Sequence, residues 1–411
     1  MNHYLLFIIT FILFEYLLNF YSTYLNMRYL KLTIPTQFIG FYNKKKYTDS
    51  QKYTIDSASF QLIVSTLNII ITIIFIVCGG FNYLDIAIRK SNIENEIVLG
   101  ILYCIVLISI NFILSIPSSY YSTFKIEQKY EFNKSTKKLF FLDQIKMFFI
   151  SILMTSIIMF FIFYFFEVLN NKAWIYSWII LSVFIIIAPI LYINWIAPIF
   201  NNFTKIEEGT LKNEIYKLVK KTNFPIKEIY IVDGSKRSSH SNAYFAGFGK
   251  NKRIVLFDTL LSNHTNKEIV AIVAHEIGHY KKKHILYSTI ISILSFGLMF
   301  LCLSFFMNNP LLFKAFKMSN ISIYASIVFF IILYSPISLI LGILMNYISR
   351  RNEYEADEFS IYATNDKNSL ILALKNLSVS NLSNLTPHPF YVFLNYTHPP
   401  ILSRIKAIEK L

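Results

Sequence analysis

The sequence predicts an all-α polytopic membrane protein with seven transmembrane helices and a small α+β domain on one side of the bilayer. Of its 411 residues, 55% are hydrophobic and only 15% are charged, whereas a soluble globular chain carries roughly 25% charged residues. The apolar residues lie in runs long enough to cross a bilayer, which takes about 20 residues of helix. Two polar stretches, 201–284 and 349–411, remain outside these runs and can fold together.

Seven apolar runs can each form a membrane-spanning helix. They cover residues 4–25, 58–80, 97–119, 147–166, 173–199, 285–307 and 321–348. Only the first contains a charged residue, Glu15, and an ionisable group in a span either serves a function or faces water. The six residues between the fourth and fifth spans predict a tight helical hairpin. Pro189, Pro198 and Pro336 predict kinks.

Positive charge is distributed unevenly, and this predicts the orientation. The net charge of +15 comes almost entirely from Lys and Arg between the apolar runs, which indicates a lipid bilayer and argues against a nucleic-acid partner. One side of the predicted topology holds 5 Lys and Arg, and the other holds 34. Because the basic side faces the cytoplasm, we expect the N-terminus outside and both polar stretches inside.

The predicted domain organisation alternates between membrane and cytoplasm. Residues 1–200 hold spans one to five, 201–284 form a cytoplasmic part, 285–348 hold spans six and seven, and 349–411 pack on 201–284. The local pattern within 201–284 predicts a helix at 207–222, a strand at 228–233, and a hairpin of 242–248 with 253–257. Thr265, followed three residues later by Glu268, predicts a capping box that opens a helix ending at Lys281.

The string His275-Glu276-Ile277-Gly278-His279 lies on this last helix. Residues four apart share one helix face, so both imidazoles can bind one Zn²⁺ ion while Glu276 faces a metal-bound water. Patterns with three fixed positions also occur by chance, but the helix cap upstream provides the structural context that a zinc site requires. The string therefore predicts a zincin-type metalloprotease domain that acts on a peptide or protein substrate.

A third zinc ligand is expected, because a catalytic site takes three protein ligands and keeps one position for water. Glu353, just after the last span, can be that ligand. Asp357, four residues later, can accept the free N–H of a ligating histidine. A solvated acidic and basic helix face is the alternative interpretation of this cluster.

The predicted hairpin offers a place for substrate backbone, which adds as a strand to an exposed sheet edge in many peptide complexes. Asn242, Ala243 and Tyr244 are the candidate substrate-binding residues at this edge. For Tyr244 and Phe245, simple packing of the hairpin on the zinc helix is an equally good alternative. His398 lies on a proline-bounded stretch that predicts a loop; it either donates to the reaction oxyanion or is an ordinary loop histidine.

Four strings in this order resemble the zinc metalloprotease type of CAAX prenyl endopeptidase (type 1). They are Ser241-Asn242-Ala243-Tyr244-Phe245, His275-Glu276-Ile277-Gly278-His279, Ser349-Arg350-Arg351-Asn352-Glu353-Tyr354-Glu355-Ala356-Asp357, and Thr397-His398-Pro399-Pro400 followed by Arg404. The seven spans and the run 250–260 are similar as well, so the resemblance covers essentially the whole chain. It implies a helical barrel around a large water-filled chamber, which the metalloprotease domain closes on the cytoplasmic side, and cleavage of prenylated C-terminal CaaX sequences.

The resemblance also implies roles for single residues. His275, His279 and Glu353 would bind one Zn²⁺ per chain, and Glu276 would be the general base. Asp357 would hold a ligating histidine, and His398 with Arg404 would contact the transition state or substrate. The other histidines are expected not to be ligands: His3, His240, His264, His284 and His388.

Segment 246–249 is more similar to bacterial members, so a bacterial inner membrane is favoured over the endoplasmic reticulum.

Three alternative functions remain open at this point. The first is a quality-control metalloprotease for unprenylated membrane proteins, but such proteases have fewer spans. An intramembrane protease would carry its zinc motif within a span, whereas Lys281, Lys282 and Lys283 follow this one. A receptor or transporter with structural zinc needs four ligands, and no cysteine lies near the motif.

Overall fold

The first 200 residues are mainly helical. In the computed structural model, which describes residues 2–247 and 252–411, they are α1 (His3–Arg28), α2 (Lys44–Val77), α3 (Gly80–Arg89), α4 (Glu96–Tyr121), α5 (Lys137–Val168), α6 (Ala173–Leu191) and α7 (Ala197–Phe200). The first four predicted spans are α1, α2, α4 and α5, and the fifth is α6 with α7. The short turn Asn170–Lys172 joins α5 to α6, which confirms the predicted helical hairpin. Helix α3 was not predicted.

Helix irregularities occur close to the prolines. Pro189 lies inside α6, and the π-helical turn Tyr192–Ile196 follows it before α7 begins. Pro117 lies inside α4 and is likewise followed by a π-helical segment, Ser122–Glu127, which was not predicted. Proline removes a backbone donor and crowds the preceding turn, so the local hydrogen-bond pattern rearranges. Pro198, in contrast, lies in the first turn of α7, where its missing N–H costs nothing.

A four-stranded sheet follows the fifth span. The elements in order are β1 (Phe203–Lys205), α8 (Thr210–Lys221), β2 (Ile226–Val232), β3 (Ala243–Ala246), β4 (Lys252–Phe257), α9 (Asp258–Asn263) and α10 (Asn266–Lys281). The strand order is β1-β2-β4-β3, with β2 and β4 parallel and the two outer pairs antiparallel. The predicted hairpin is present as β3 and β4, with Tyr244 opposite Val255. Its predicted residues 248–251 lie outside the described part of the chain. Strand β1 was not predicted.

Helix α10 begins where the cap was predicted, but half of the capping box is wrong. The Thr265 hydroxyl accepts the Glu268 N–H at 3.4 Å. The Glu268 carboxylate does not turn back to the cap; it lies 2.8 Å from His264 Nδ1 and accepts from Asn376 at 3.0 Å. His264 is buried, and a buried ring N–H requires a partner. That tertiary requirement takes the carboxylate away from the helix end.

The C-terminal part contains the sixth span, a seventh span broken into two helices, a short helical connection and three further helices. The elements are α11 (His284–Phe306), α12 (Pro310–Ala315), α13 (Ile323–Leu333), α14 (Ser335–Thr364), α15 (Lys367–Ser380), α16 (Pro389–Asn395) and α17 (Ile401–Glu409). A bend of 54° separates α13 from α14 beside Pro336, which confirms that kink. Helix α14 then continues to Thr364. The boundary predicted at 348/349 thus falls inside one helix, which connects the last span rigidly to residues 349–364.

The membrane helices bury little of their surface against one another. Within the described residues, six helices are long and apolar enough to span a membrane, or seven with the bent pair α13 and α14. Between 6% and 17% of each apolar window is buried, whereas a helix in a solid bundle buries a whole apolar stripe. Glu15, Asn19 and Gln61 line a cavity of about 430 Å³ that residues of α13, α14 and α16 also border. Glu15 therefore faces a cavity between helices.

Candidate metal centre

The three predicted ligands converge where α10 meets α14. His275 Nε2 and His279 Nε2 are 3.1 Å apart. The Glu353 carboxylate reaches both, with Oε2 at 3.5 Å from His275 Nε2 and Oε1 at 3.2 Å from His279 Nε2. One ligand atom from each residue lies within 4.8 Å of the other two. The helical spacing brings the histidines together, and the crossing of α14 adds the carboxylate.

This donor set fits a tetrahedral Zn²⁺ ion. Two nitrogens bound at about 2.0–2.1 Å to one tetrahedral zinc lie about 3.3 Å apart, close to the 3.1 Å between the imidazoles. Glu353 Oε2 is buried without a hydrogen-bond partner among the described residues, although Arg404 Nη1 lies at an ion-pair distance of 3.0 Å. A buried carboxylate oxygen is costly unless it is fully satisfied, and a cation between the three side chains would satisfy it.

Gly278 permits the close approach of the two helices. A Cβ atom at this position would lie 3.1 Å from both Cα and the carbonyl oxygen of Ala356 on α14. These are backbone atoms, so they cannot rotate out of the way. The two small residues therefore let Glu353 reach the histidines.

Gly278→Ala should weaken zinc binding and activity, even though Ala is favoured over Gly in a helix by about 1 kcal/mol. The added methyl group would push α14 and its carboxylate away from α10. Zinc retention against a chelator measures the effect. Gly342→Ala is the matched control on α14, because no described atom beyond the adjoining stretch of its own helix lies within 4 Å of the added Cβ. Wild-type zinc retention in Gly278→Ala would show that the spacing has no influence on the site.

Asp357 and Arg404 form a buried pair behind the ligands. Asp357 Oδ1 lies 2.9 Å from His275 Nδ1. Arg404, on α17, donates to Asp357 through Nε at 2.8 Å and through Nη2 at 2.6 Å. If His275 Nε2 bound a metal, its Nδ1–H would donate to Asp357. The structure brings Arg404 to the carboxylates of Asp357 and Glu353, and its contact with the transition state or substrate stays a prediction.

Glu276 and His398 are both next to the three predicted ligands. Glu276 is partly buried next to His275, and burial raises the pKa of its carboxyl while His275 and His279 oppose that rise. His398 lies on the loop between α16 and α17, with Nε2 3.3 Å from Glu353 Oε1. Its side chain is 64% exposed. His398 is therefore next to the cluster and remains open to an incoming molecule.

The candidate substrate strand β3 packs against α10. Ala243 is buried in the same apolar cluster as Val273, and the Phe245 ring meets Tyr280 of α10 at 6.2 Å. Tyr244 faces the other way, edge-on to Phe257 at 6.3 Å, and Asn242 is exposed. In the described part of the sheet, β3 is an outer strand with one edge unpaired. Phe245 thus packs on α10. The outer edge of β3, which Asn242 precedes, has no neighbouring strand in the described part of the sheet.

An apolar cavity of about 780 Å³ opens between α6 and α11 beside the cluster. His279 and Phe245 lie in its lining with a larger set of aliphatic side chains from the two helices: Ile185, Ile186, Ile190, Leu286, Ile290 and Ile293. Farther along, the Trp178 indole N–H donates to the Ile293 carbonyl at 2.7 Å and joins the two helices. The cavity therefore connects the predicted ligand His279 with the apolar surface of two spans.

Two residues in contact with the site were not predicted as part of it. His284 Nδ1 lies 3.1 Å from His279 Nδ1, and His284 Nε2 lies 3.2 Å from Glu355 Oε2. His284 comes after the end of α10, so helical spacing gives no signal for it. Glu355 is only two positions from Glu353 and points to another side of α14. Three of the other histidines contact Glu127 (His240), Glu268 (His264) and the start of α16 (His388).

Two family models match nearly the whole chain. One, described as the CAAX prenyl protease N-terminal region with five membrane helices, matches residues 23–202. The other, peptidase family M48, matches residues 205–411 and thus slightly more than half of the chain. The chain belongs to peptidase family M48. This M48 chain is therefore a multi-pass membrane metalloendopeptidase that acts on peptide or protein substrates.

Relatives of this M48 peptidase match it from end to end. The CAAX prenyl protease 1 homolog of Arabidopsis thaliana is 34% identical and covers 95% of this chain and 94% of its own. The CAAX prenyl protease 1 homolog of Homo sapiens is 28% identical, and the match covers 97% of this chain and 94% of that protein. The crystal structure of S. mikatae Ste24p has a TM-score of 0.91 and 31% identity, with 99% of both chains covered. The membrane helices and the protease part therefore belong to one shared architecture.

Proposed function

We propose that this M48 peptidase cleaves the C-terminal CaaX sequence of prenylated proteins, with one Zn²⁺ ion held by His275, His279 and Glu353. The observation that carries the proposal is the convergence of these three ligand atoms within 4.8 Å. The names of the relatives suggest the substrate class. The apolar cavity beside His279 supports it as well, because a lipid chain needs a largely apolar pocket.

The residues around the site suggest a division of labour. When bound in such a site, Zn²⁺ polarises the scissile carbonyl and makes water a nucleophile near neutral pH. Glu276 accepts the proton of the attacking water and passes it to the leaving amine. His398, on the exposed side of the cluster, donates to the carbonyl oxygen as it becomes negative. Asp357 orients His275, and Arg404 holds Asp357 and Glu353 in place.

Substrate backbone would align with the free edge of β3. Ala243 and Tyr244 lie on this strand and Asn242 directly precedes it, and a strand added there gains main-chain hydrogen bonds.

The domain boundary proposed at 200/201 is supported by the two family models, which meet between residues 202 and 205.

A matched pair of peptides tests the substrate class. We expect purified protein in lipid vesicles to cleave a farnesylated CaaX peptide well above the rate for the same peptide without the isoprenoid. Mass spectrometry of the released fragment measures both rates, and Glu276→Gln protein controls for contaminating proteases. Equal rates for the two peptides would favour a quality-control protease for unprenylated substrates.

We also propose that the N-terminus is outside and the metalloprotease part cytoplasmic, because 34 of 39 Lys and Arg lie on that side. The eukaryotic relatives favour the endoplasmic reticulum membrane. The contrary similarity to bacterial members rests on segment 246–249, of which residues 248 and 249 lie outside the described part.

Cysteine labelling tests this orientation in a variant without Cys78, Cys104 and Cys302. A cysteine introduced beside Asn2 should react with an impermeant reagent from the non-cytoplasmic side, and one at Lys410 only after permeabilisation. The reverse pattern would invert the topology.

A further inference from the structure

A chain of polar side chains extends outward from the proposed ligand His279. Its Nδ1 lies 3.1 Å from Nδ1 of His284. Nε2 of His284 lies 3.2 Å from Glu355 Oε2, and Glu355 Oε1 accepts from Arg351 Nε at 3.2 Å. His284 is only 5% exposed, whereas the side chain of Arg351 is 74% exposed. The chain therefore leads from the metal centre through a buried imidazole to the surface.

The turn between α10 and α11 brings His284 into this chain. Helix α10 ends at Lys281, Lys283 has a left-handed backbone with φ of 59°, and α11 begins at His284. A non-glycine residue in this conformation is uncommon. The turn folds His284 back over His279, with ring centroids 5.1 Å apart and planes at 73°.

The hydrogen-bond polarity of this chain follows from metal binding. A His279 that presents the Nε2 lone pair to a metal carries its hydrogen on Nδ1 and donates it to Nδ1 of His284. Because His284 accepts at Nδ1, its own hydrogen is on Nε2 and is donated to the Glu355 carboxylate. Every donor then meets an acceptor.

We infer that His284 and Glu355 are positioning residues that hold His279 in its metal-binding tautomer and ring orientation. The inference rests on the proposed metal site and adds a second support to it. Asp357 supports His275 directly at 2.9 Å. Among the described residues, His279 Nδ1 contacts His284 and not a carboxylate, so Glu355 acts through the intervening imidazole. Asp357 thus supports His275 directly, whereas Glu355 supports His279 through His284.

Two substitutions of His284 separate hydrogen bonding from packing. His284→Phe keeps a ring but removes both polar atoms, whereas His284→Gln keeps one acceptor and one donor. In purified full-length protein, we expect His284→Phe to raise the zinc dissociation constant by about 10- to 100-fold, the usual effect of losing such a partner. His284→Gln should recover most of that loss, and Glu355→Gln should weaken zinc binding less than His284→Phe. His240→Phe, a histidine that contacts Glu127, is the control and should keep wild-type zinc affinity.

The melting temperature of the zinc-free proteins provides the second measurement. A positioning role predicts that His284→Phe lowers zinc affinity while the Tm of the metal-free protein stays at the wild-type value. Wild-type zinc affinity in His284→Phe would overturn the inference, and so would equal losses in His284→Phe and His284→Gln together with a lowered metal-free Tm. Failure of the metal site itself would look different, because His275→Ala and Glu353→Ala would then also keep full zinc.

Discussion

Glu276→Gln protein should retain its zinc and lose most of its turnover, by roughly 10²- to 10⁴-fold, the usual contribution of a general base. Glutamine has nearly the same shape as glutamate but cannot accept the proton of the attacking water. Glu276 is not among the three converging ligands, so the metal should stay bound. The combination of full zinc and little activity is specific for this role.

Kinetics and metal analysis on the same preparation test this expectation. Glu358→Gln, an exposed glutamate on α14, is the control and should leave both quantities unchanged.

In the same assay, His398→Ala should lower kcat more than it raises KM, by roughly 10²- to 10³-fold for one oxyanion donor. Near-wild-type kcat in Glu276→Gln would remove Glu276 as the base, and near-wild-type kcat in His398→Ala would leave that histidine as an ordinary loop residue.

Glu353→Ala should release the metal. It removes one of three protein ligands, so the loss in zinc affinity should exceed the roughly 10- to 100-fold typical of a residue that only supports a ligand. The change also removes the ion pair between Glu353 Oε2 and Arg404, which are 3.0 Å apart, and leaves Arg404 paired with Asp357 alone. Activity should fall together with zinc content.

Elemental analysis after dialysis against a weak chelator measures this loss. The exposed Glu358→Gln variant again serves as control, because it lies on the same helix five positions away. A fully zinc-loaded Glu353→Ala protein would mean that another residue is the third ligand.

Features that depend on neighbours in the chain could be predicted well. The apolar runs predicted the spans, because a bilayer imposes a minimum length on any helix that crosses it. The i and i+4 spacing of His275 and His279 brought their Nε2 atoms together, since residues four apart share a helix face. Pro336 marked the bend between α13 and α14. In each case, backbone geometry within a few residues determines the outcome.

Features that depend on distant contacts could not be predicted from the pattern. The Glu268 carboxylate contacts the buried His264 and does not turn back to the cap of α10. Arg404 meets Asp357 across 47 residues of sequence, and His284 meets Glu355 across 71. The resemblance to a family predicted that Arg404 contacts the transition state or substrate, but no sequence pattern pointed to Asp357 as its partner.

The sequence by itself thus determined that the chain crosses a membrane several times and carries two imidazoles on one helix face, at the spacing of zinc ligands. The tertiary structure decided how Glu353 reaches them. Helix α14 continues past the predicted end of the last span, and it packs so closely on α10 that a Cβ added at Gly278 would lie 3.1 Å from Ala356. It also decided which groups hold each imidazole, Asp357 for His275 and His284 for His279. The physical reason is that hydropathy and helical periodicity act along the chain, whereas buried polar groups must find partners wherever packing brings them.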